Sequence, residues 1–322
     1  MRPNIFAGDE LDRVGVERKD PLWVEAQFKA ADTRVLPLWR NSNFVLQPAS
    51  DSAEGGGDVP PSLLLLDVAT VRRLAPDADM ILLGVNRQGE TRFAVDISHL
   101  PTPLDDLGLP DAKTGDLRDL AGSLSHADSA MLAQARALIQ WHAAHRHCAK
   151  CGAKSESREG GHVRLCTNAD CGAHHFPRTD PAVIMLVTNG ERCLLARRAG
   201  NPQPMYSTLA GFVEPAESLE EAVAREVLEE VGLRVDTVTY QSSQPWPFPA
   251  QLMLGFRAET RDEDFRLQED EIMDARWLTR ADVKRILDAE TRGEAALFDG
   301  TEVRMARPIS IARRLVTEWA EE

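Results

Sequence analysis

Two sets of side chains in this sequence have types and spacings that can do chemistry. The first is four cysteines, Cys148 and Cys151 as C-x2-C and Cys166 and Cys171 as C-x4-C, with fourteen residues between the pairs. That spacing lets two hairpin knuckles offer four thiolates to one tetrahedral Zn(II). Four thiolates fill the coordination sphere and leave no position for water, so such a metal supports the fold and does no chemistry. Buried reduced thiols or a redox pair are the alternatives. His142, His145, His147, His162, His174 and His175 surround the quartet, so a histidine could also replace a cysteine. Cys193 is left over. Arg146 to Arg178 carries six Lys or Arg against three acids, a modest excess that reads as a solvated face.

The second set lies between Gly211 and Leu233. Ser218 and Glu221 form an S-x-x-E capping box, and Gly232 stands where a left-handed cap would end a helix, so the pattern predicts a helix over about Leu219 to Val231. On that helix Glu226, Glu229 and Glu230 share an arc of about 100°. Like charges held this close repel, and divalent cations relieve the repulsion; hard carboxylate oxygens select Mg(II) or Mn(II). Arg225 stands one turn before Glu229 and can hold its carboxylate. A bare E-x-x-E-E would read as a solvated acidic face.

Several elements must position these groups. A helix is predicted over Ser129 to His145, where Met131, Ala135, Leu138, Ile139 and His142 recur at three and four. Strands are predicted at Ala182 to Val187 and Arg192 to Ala196, joined through the hairpin dipeptide Asn189-Gly190. Earlier, short apolar runs such as Phe44 to Leu46, Leu63 to Leu66 and Met80 to Val85 alternate with turn-rich patches and carry no chemical signature. Ser50 to Pro61, with Gly55, Gly56 and Gly57, reads as a flexible loop, because Pro60 occupies the last glycine position of a G-x-G-x-x-G match. In Ser243-Gln244-Pro245-Trp246-Pro247-Phe248-Pro249-Ala250-Gln251, three prolines hold Trp246 and Phe248 on a stiff loop suited to stacking against a flat ring; a Pro-rich core loop is the other reading.

The 322 residues suffice for about two domains. The net charge of −14 argues against nucleic-acid affinity through bulk charge, and 43% hydrophobic with 27% charged residues fits an ordinary soluble chain. No run approaches the roughly 18 apolar residues of a spanning helix, and the first residues lack a secretory pattern. The expectation is a cytoplasmic protein that does not cross a membrane.

The glutamate segment resembles the Nudix box, G-x5-E-x7-R-E-U-x-E-E-x-G-U with U aliphatic. Gly211, Glu217, Arg225, Glu226, Val227, Glu229, Glu230, Gly232 and Leu233 fill every fixed position. Zinc ribbon, Nudix box and SQPWPFP in that order are similar to the NADH pyrophosphatase family, also described as NAD-capped RNA hydrolases. The resemblance is at residue level from about Cys148 to Met253. It implies a Nudix α/β/α sandwich with a zinc ribbon and an N-terminal mixed α/β domain. The expected divisions are 1–125 for that domain, 126–146 for a linking helix, 147–178 for the ribbon and 179–322 for the hydrolase domain.

The resemblance further implies that Glu226 and Glu230 bind catalytic Mg(II) or Mn(II) and that Glu229 binds metal or serves as base. The Ala210 carbonyl and Glu271 are implied as further ligands, with Arg225 among the catalytic residues. Gln244, Pro245, Trp246, Pro247, Phe248, Pro249, Ala250 and Gln251, together with Phe176 and Ala312, are implied to contact substrate. Gln251 departs from the family, which usually has Ser there. The implied reaction splits the pyrophosphate of NADH or NAD(+) into NMN(H) and AMP, and releases NMN from NAD-capped RNA; NAD is then substrate, not cofactor, and a homodimer is expected. The alternatives are hydrolysis of ADP-ribose or a dinucleoside polyphosphate, or a non-catalytic regulator that senses nucleotides or binds nucleic acid.

Overall fold

Side-chain alternation along one strand sets the architecture around the glutamate helix. In β10 (Asp180–Asn189), Val183, Met185 and Val187 point to one core, while Ile184 and Leu186 point to another. A strand buried on both faces needs a layer on each side. The computed structural model describes residues 3–46, 60–109, 112–200 and 204–322. It divides into two compact units, Pro3–Thr179 with Trp246–Ala250, and Asp180–Pro245 with Gln251–Glu322. The predicted loop from Ser50 to Pro61 lies, up to residue 59, outside the described residues.

In the first unit come α1 (Pro21–Lys29), β1 (Arg34–Trp39), β2 (Ser42–Leu46), β3 (Ser62–Leu63), α2 (Val68–Leu74), β4 (Ile81–Val85), β5 (Thr91–Asp96), α3 (Pro103–Leu107), β6 (Ala112–Asp116) and α4 (Leu117–Leu120). The sheet runs β3-β2-β1-β5-β4 with β6 also on β2, and β1 pairs parallel to β5 with Val35 opposite Phe93. Val35, Phe44, Leu66, Val71, Leu82, Phe93 and Val95 form its core. Next, α5 (His126–Ala144) starts at Ser125, whose side chain accepts the Asp128 N–H, and is mostly buried. Its Gln134 donates to the Leu83 carbonyl at 3.0 Å and its Arg136 to the Asn41 carbonyl at 2.7 Å. The ribbon strands β7 (Ser155–Arg158), β8 (Val163–Cys166) and β9 (His174–His175) make a three-stranded antiparallel sheet.

The second unit continues after β10 with β11 (Arg192–Arg198), β12 (Met205–Tyr206), β13 (Leu209–Phe212), α6 (Leu219–Val231), β14 (Thr237–Trp246), β15 (Gln251–Glu259), β16 (Ile272–Thr279), α7 (Arg280–Thr291), β17 (Ala296–Phe298), β18 (Thr301–Met305) and α8 (Ile311–Glu321). Its mixed sheet runs β14-β15-β10-β11-β16, with β13 antiparallel on β10. The predicted hairpin forms: Asn189 faces Arg192, and Gly190 takes a φ of 56°. Ala222, Val223, Val227 and Val231 of α6 cover one face of the sheet; Val283 and Ile286 of α7 and Leu315, Val316 and Trp319 of α8 cover the other. The expected α/β/α sandwich is therefore present. No helix of the described residues is long and apolar enough to cross a membrane.

Candidate functional site

The helix α6 spans the residues its sequence signals require. Ser218 Oγ accepts the Glu221 N–H at 3.3 Å while the Glu221 carboxylate accepts the Ser218 N–H at 2.8 Å, and Gly232 closes the other end at a φ of 70°. With the apolar residues of α6 committed to the core, Arg225 and Glu226 lie beside the strand β13. One guanidinium then fixes three of the carboxylates. Arg225 grips Glu217 through two parallel bonds of 2.7 and 2.9 Å, reaches Glu226 at 2.8 Å and Glu229 at 3.0 Å, and donates to the Phe212 carbonyl at 2.9 Å. The planar fork suits this task, and a lysine could not reproduce it. It also holds the Glu217 carboxyl down at about 2.

Glycine at position 211 has a steric reason. A Cβ there would fall 1.8 Å from the carboxyl carbon of Glu226, so the bare backbone of β13 is the surface on which that carboxylate rests. Ala210, the preceding residue, lies opposite Ile184 of β10.

Glu230 differs from its neighbours. It is 1% exposed, and its Oε2 is buried with no hydrogen-bond partner. Its Oε1 accepts from Arg198 at 3.2 Å, and the same Arg198 nitrogen donates to the Ala210 carbonyl. Burial pushes the Glu230 carboxyl up to about 7; repulsion from Glu226 and Glu271 adds to this, and Arg198 opposes it. A buried carboxylate oxygen without a partner is costly unless a cation completes it. The donor set fits a hard divalent ion: carboxylates of Glu226, Glu229 and Glu230, a carbonyl at Ala210, and Glu271 near enough to raise Glu230. Here the carboxylates are not gathered as a ligand cluster; arginines hold them, Arg225 for three and Arg198 for the fourth.

The cysteines are gathered. The four sulfurs lie within 4.8 Å of one another, with Cys148 to Cys171 at 3.8 Å and Cys151 to Cys166 at 3.5 Å. A tetrahedron with Zn–S bonds of about 2.3 Å has edges of about 3.8 Å, so the site fits Zn(II) closely. His175 does not replace a cysteine: its Nε2 lies 3.3 Å from the Cys148 sulfur and serves as an outer hydrogen-bond partner. His142 and His162 instead meet the backbone carbonyls of Gly161 and Leu82, each at 2.8 Å. Cys193 is buried, its thiol pushed up to about 12, and is unreactive.

The Trp246–Ala250 turn belongs to the first unit. Trp246 and Phe248 meet edge to face at 5.2 Å, and both meet Phe6, at 5.8 and 5.9 Å. The Arg118 guanidinium lies 3.7 Å from the Phe248 ring centre and Arg136 lies 4.9 Å from it. At 3.7 Å nothing inserts between Arg118 and that ring, so Phe248 is pinned in the fold where the sequence pattern suggested an open stacking surface. Gln244 is 1% exposed, donates to the Ile309 carbonyl at 2.8 Å and accepts the Ile311 N–H at 2.7 Å, so its amide secures the start of α8. Pro245 precedes the turn, and Pro247 and Pro249 stiffen it. Gln251 opens β15 opposite Asp180, and Ala312 is buried in the first turn of α8. Phe176 is 66% exposed.

Sequence reasoning missed three residues. Arg198 has no motif, and only the fold of β11 brings it to Glu230. Phe212, inside the Nudix segment, presents a ring 53% exposed beside Gly211. Phe6 is separated by some 240 positions from the rings it supports, and a lone aromatic gives no signal.

Family models match a NUDIX domain at residues 178–297, an NADH pyrophosphatase zinc ribbon domain at 143–176 and an NADH pyrophosphatase-like rudimentary NUDIX domain at 32–141. The NAD-capped RNA hydrolase NudC of Mycobacterium bovis is 37% identical over 314 residues, covering 96% of this chain and 94% of the relative. The Mycobacterium tuberculosis protein of the same name matches with the same identity and coverage. The human NAD-capped RNA hydrolase NUDT12 is 40% identical over 204 residues, covering 61% of this chain and 42% of its own.

Proposed function

The chain belongs to the Nudix family of NADH pyrophosphatases and NAD-capped RNA hydrolases, and on that premise we propose that it hydrolyses the pyrophosphate of NADH or NAD(+) to NMN(H) and AMP, and removes NAD caps from RNA with release of NMN. The observation that carries this reading is Glu230, a buried carboxylate with one oxygen lacking a partner, set on the same helix as Glu226, which Arg225 fixes.

In this reading Glu226, Glu230 and the Ala210 carbonyl hold Mg(II) or Mn(II), with Glu271 adding charge. When bound, the ion neutralises pyrophosphate charge and lowers the pKa of the attacking water. Glu229 is the most exposed of the three helix carboxylates and is the group placed to accept a proton from that water. Arg225 is a positioning residue, since every one of its bonds goes to the protein itself. Phe212, whose exposed ring stands next to Gly211, is assigned to a flat ring of the substrate; the family resemblance alone assigns Phe176 and Trp246 to substrate. The family resemblance supports a homodimer.

The test is incubation with Mn(II) in water enriched in heavy oxygen, with NADH, NAD(+), ADP-ribose and NAD-capped RNA supplied separately and products identified by mass. NMN or NMNH with one heavy oxygen in a product monophosphate, lost in a Glu229→Gln, Glu230→Gln double substitution, supports the reading. Cleavage of ADP-ribose alone overturns the substrate assignment, and no cleavage at all points to a regulator.

A further inference from the structure

We propose that Arg198 is a built-in counter-ion of the catalytic metal site, occupying it in the metal-free protein and displaced when a divalent cation binds. The proposal rests on the reading that Glu230 and Ala210 are metal ligands. One Arg198 nitrogen bonds both the Ala210 carbonyl and Glu230 Oε1. These are two of the oxygens assigned to the metal, and they come from two elements, β13 and α6. A single guanidinium nitrogen contacts both oxygens, which are the groups that would hold the ion. Metal and guanidinium compete for the same lone pairs, and two cations on one carboxylate oxygen repel.

The surroundings show why the metal-free protein needs such a group. Glu230 is buried in a unit that also places Glu226 and Glu271 close enough to repel it. The other helix carboxylates are already matched: Arg225 serves Glu217, Glu226 and Glu229 and makes no bond to Glu230. Arg198 is the cation that bonds Glu230 among the described residues. It can also leave. Its side chain is 58% exposed, and it sits at the last position of β11, where the register with β16 shifts between Arg197 and Arg198. A long, exposed side chain at a strand end can swing outward with little disturbance of the sheet. Once released, its positive charge remains at the rim of a site that must accept a pyrophosphate, so metal binding and anion binding become positively coupled through one residue.

The experiment measures Mn(II) affinity by electron paramagnetic resonance on the full-length, zinc-loaded protein without nucleotide, for wild type, Arg198→Ala, Arg198→Gln and Glu230→Gln. Losing one charge-assisted competitor should tighten Mn(II) binding about tenfold in both Arg198 variants, while Glu230→Gln abolishes that binding and thereby identifies the site. Thermal unfolding checks each variant, and Arg198→Gln keeps a hydrogen-bonding side chain should alanine prove unstable. Adding AMP should then tighten Mn(II) binding in wild type more than in either Arg198 variant. Equal or weaker Mn(II) binding in folded Arg198 variants overturns the proposal and leaves the functional reading standing. Absence of any Glu230-dependent Mn(II) binding in wild type overturns both.

Discussion

Replacing Gly211 with alanine should inactivate the enzyme without unfolding it. The added Cβ would lie 1.8 Å from Cδ of Glu226 and 1.9 Å from its Oε1. Ordinary contact needs about 3.5 to 4 Å, so the carboxylate must retreat by about 2 Å. That retreat breaks its 2.8 Å bond to Arg225 and removes a ligand from the metal site. A displacement of about 1 Å in a reacting constellation costs about 100-fold, so kcat for NADH should fall by at least about 100-fold. Gly211 and Glu226 are only partly buried, and the melting temperature should move by a few degrees at most. The assay is steady-state hydrolysis of NADH alongside Mn(II) affinity and thermal unfolding, repeated in a Glu226→Gln background. Because the alanine acts only through Glu226, it should add almost nothing there. If Gly211→Ala keeps kcat within threefold of wild type, or if the two losses simply multiply, the steric argument is wrong.

Other consequences follow from particular groups. The Glu230 carboxyl is near 7 in the fold against an ordinary 4.5, so the metal-free native state holds the extra proton, and stability falls as pH rises from about 4.5 to 7; a 2.5-unit shift is worth about 3 kcal/mol. Glu230→Gln should therefore raise the melting temperature at pH 8 without added divalent ion while abolishing activity, and a lower melting temperature there would contradict the assignment. His162 has the opposite sign: burial lowers it to about 4 from 6.5, so the native state holds fewer protons and its stabilising contribution is lost as pH falls from about 6.5 to 4. Hydrogen exchange should show amides of β4 and β8 losing protection across that window, and His162→Gln should flatten the dependence. Chelating zinc, or Cys166→Ser, should expose the amides of β7 and β8 while those of β10 stay protected; unchanged protection of β7 and β8 would mean that the ribbon does not depend on its metal for local order. Arg225→Lys keeps the charge but loses the fork, so NADH hydrolysis should drop by about ten- to a hundredfold with KM little changed; rates equal to wild type would show that charge alone suffices.

Legibility in the sequence tracked how local each instruction was. The bounds of α6 came out as read because capping box, apolar spacing and Gly232 all act within one turn of the residues they control. The zinc set was legible for the same reason, since each knuckle contributes two ligands a few residues apart. The contacts of Gln244 were not legible because its position in SQPWPFP says nothing about where the amide points; only the approach of Ile309 and Ile311, more than sixty residues later, explains them. The contacts of Phe248 were hidden similarly, since Arg118 and Arg136 reach it across more than a hundred positions. In the first unit the apolar runs predicted strands, but nothing in them foretold the parallel pairing of β1 with β5.

That first unit also explains why a sheet can match a rudimentary NUDIX model and yet show no chemical signature. Pairing and burial need only short apolar runs, which β1, β2, β4 and β5 carry. Metal chemistry needs paired carboxylates at helical spacing, a glycine on which one of them can rest, and an arginine to hold the rest. Those demands fall on single atoms, so they are lost by single substitutions while the sheet survives. In the second unit all three are met within 23 residues. The fourth element, Arg198, lies outside that stretch at a strand end, and a search confined to the motif would always pass it by.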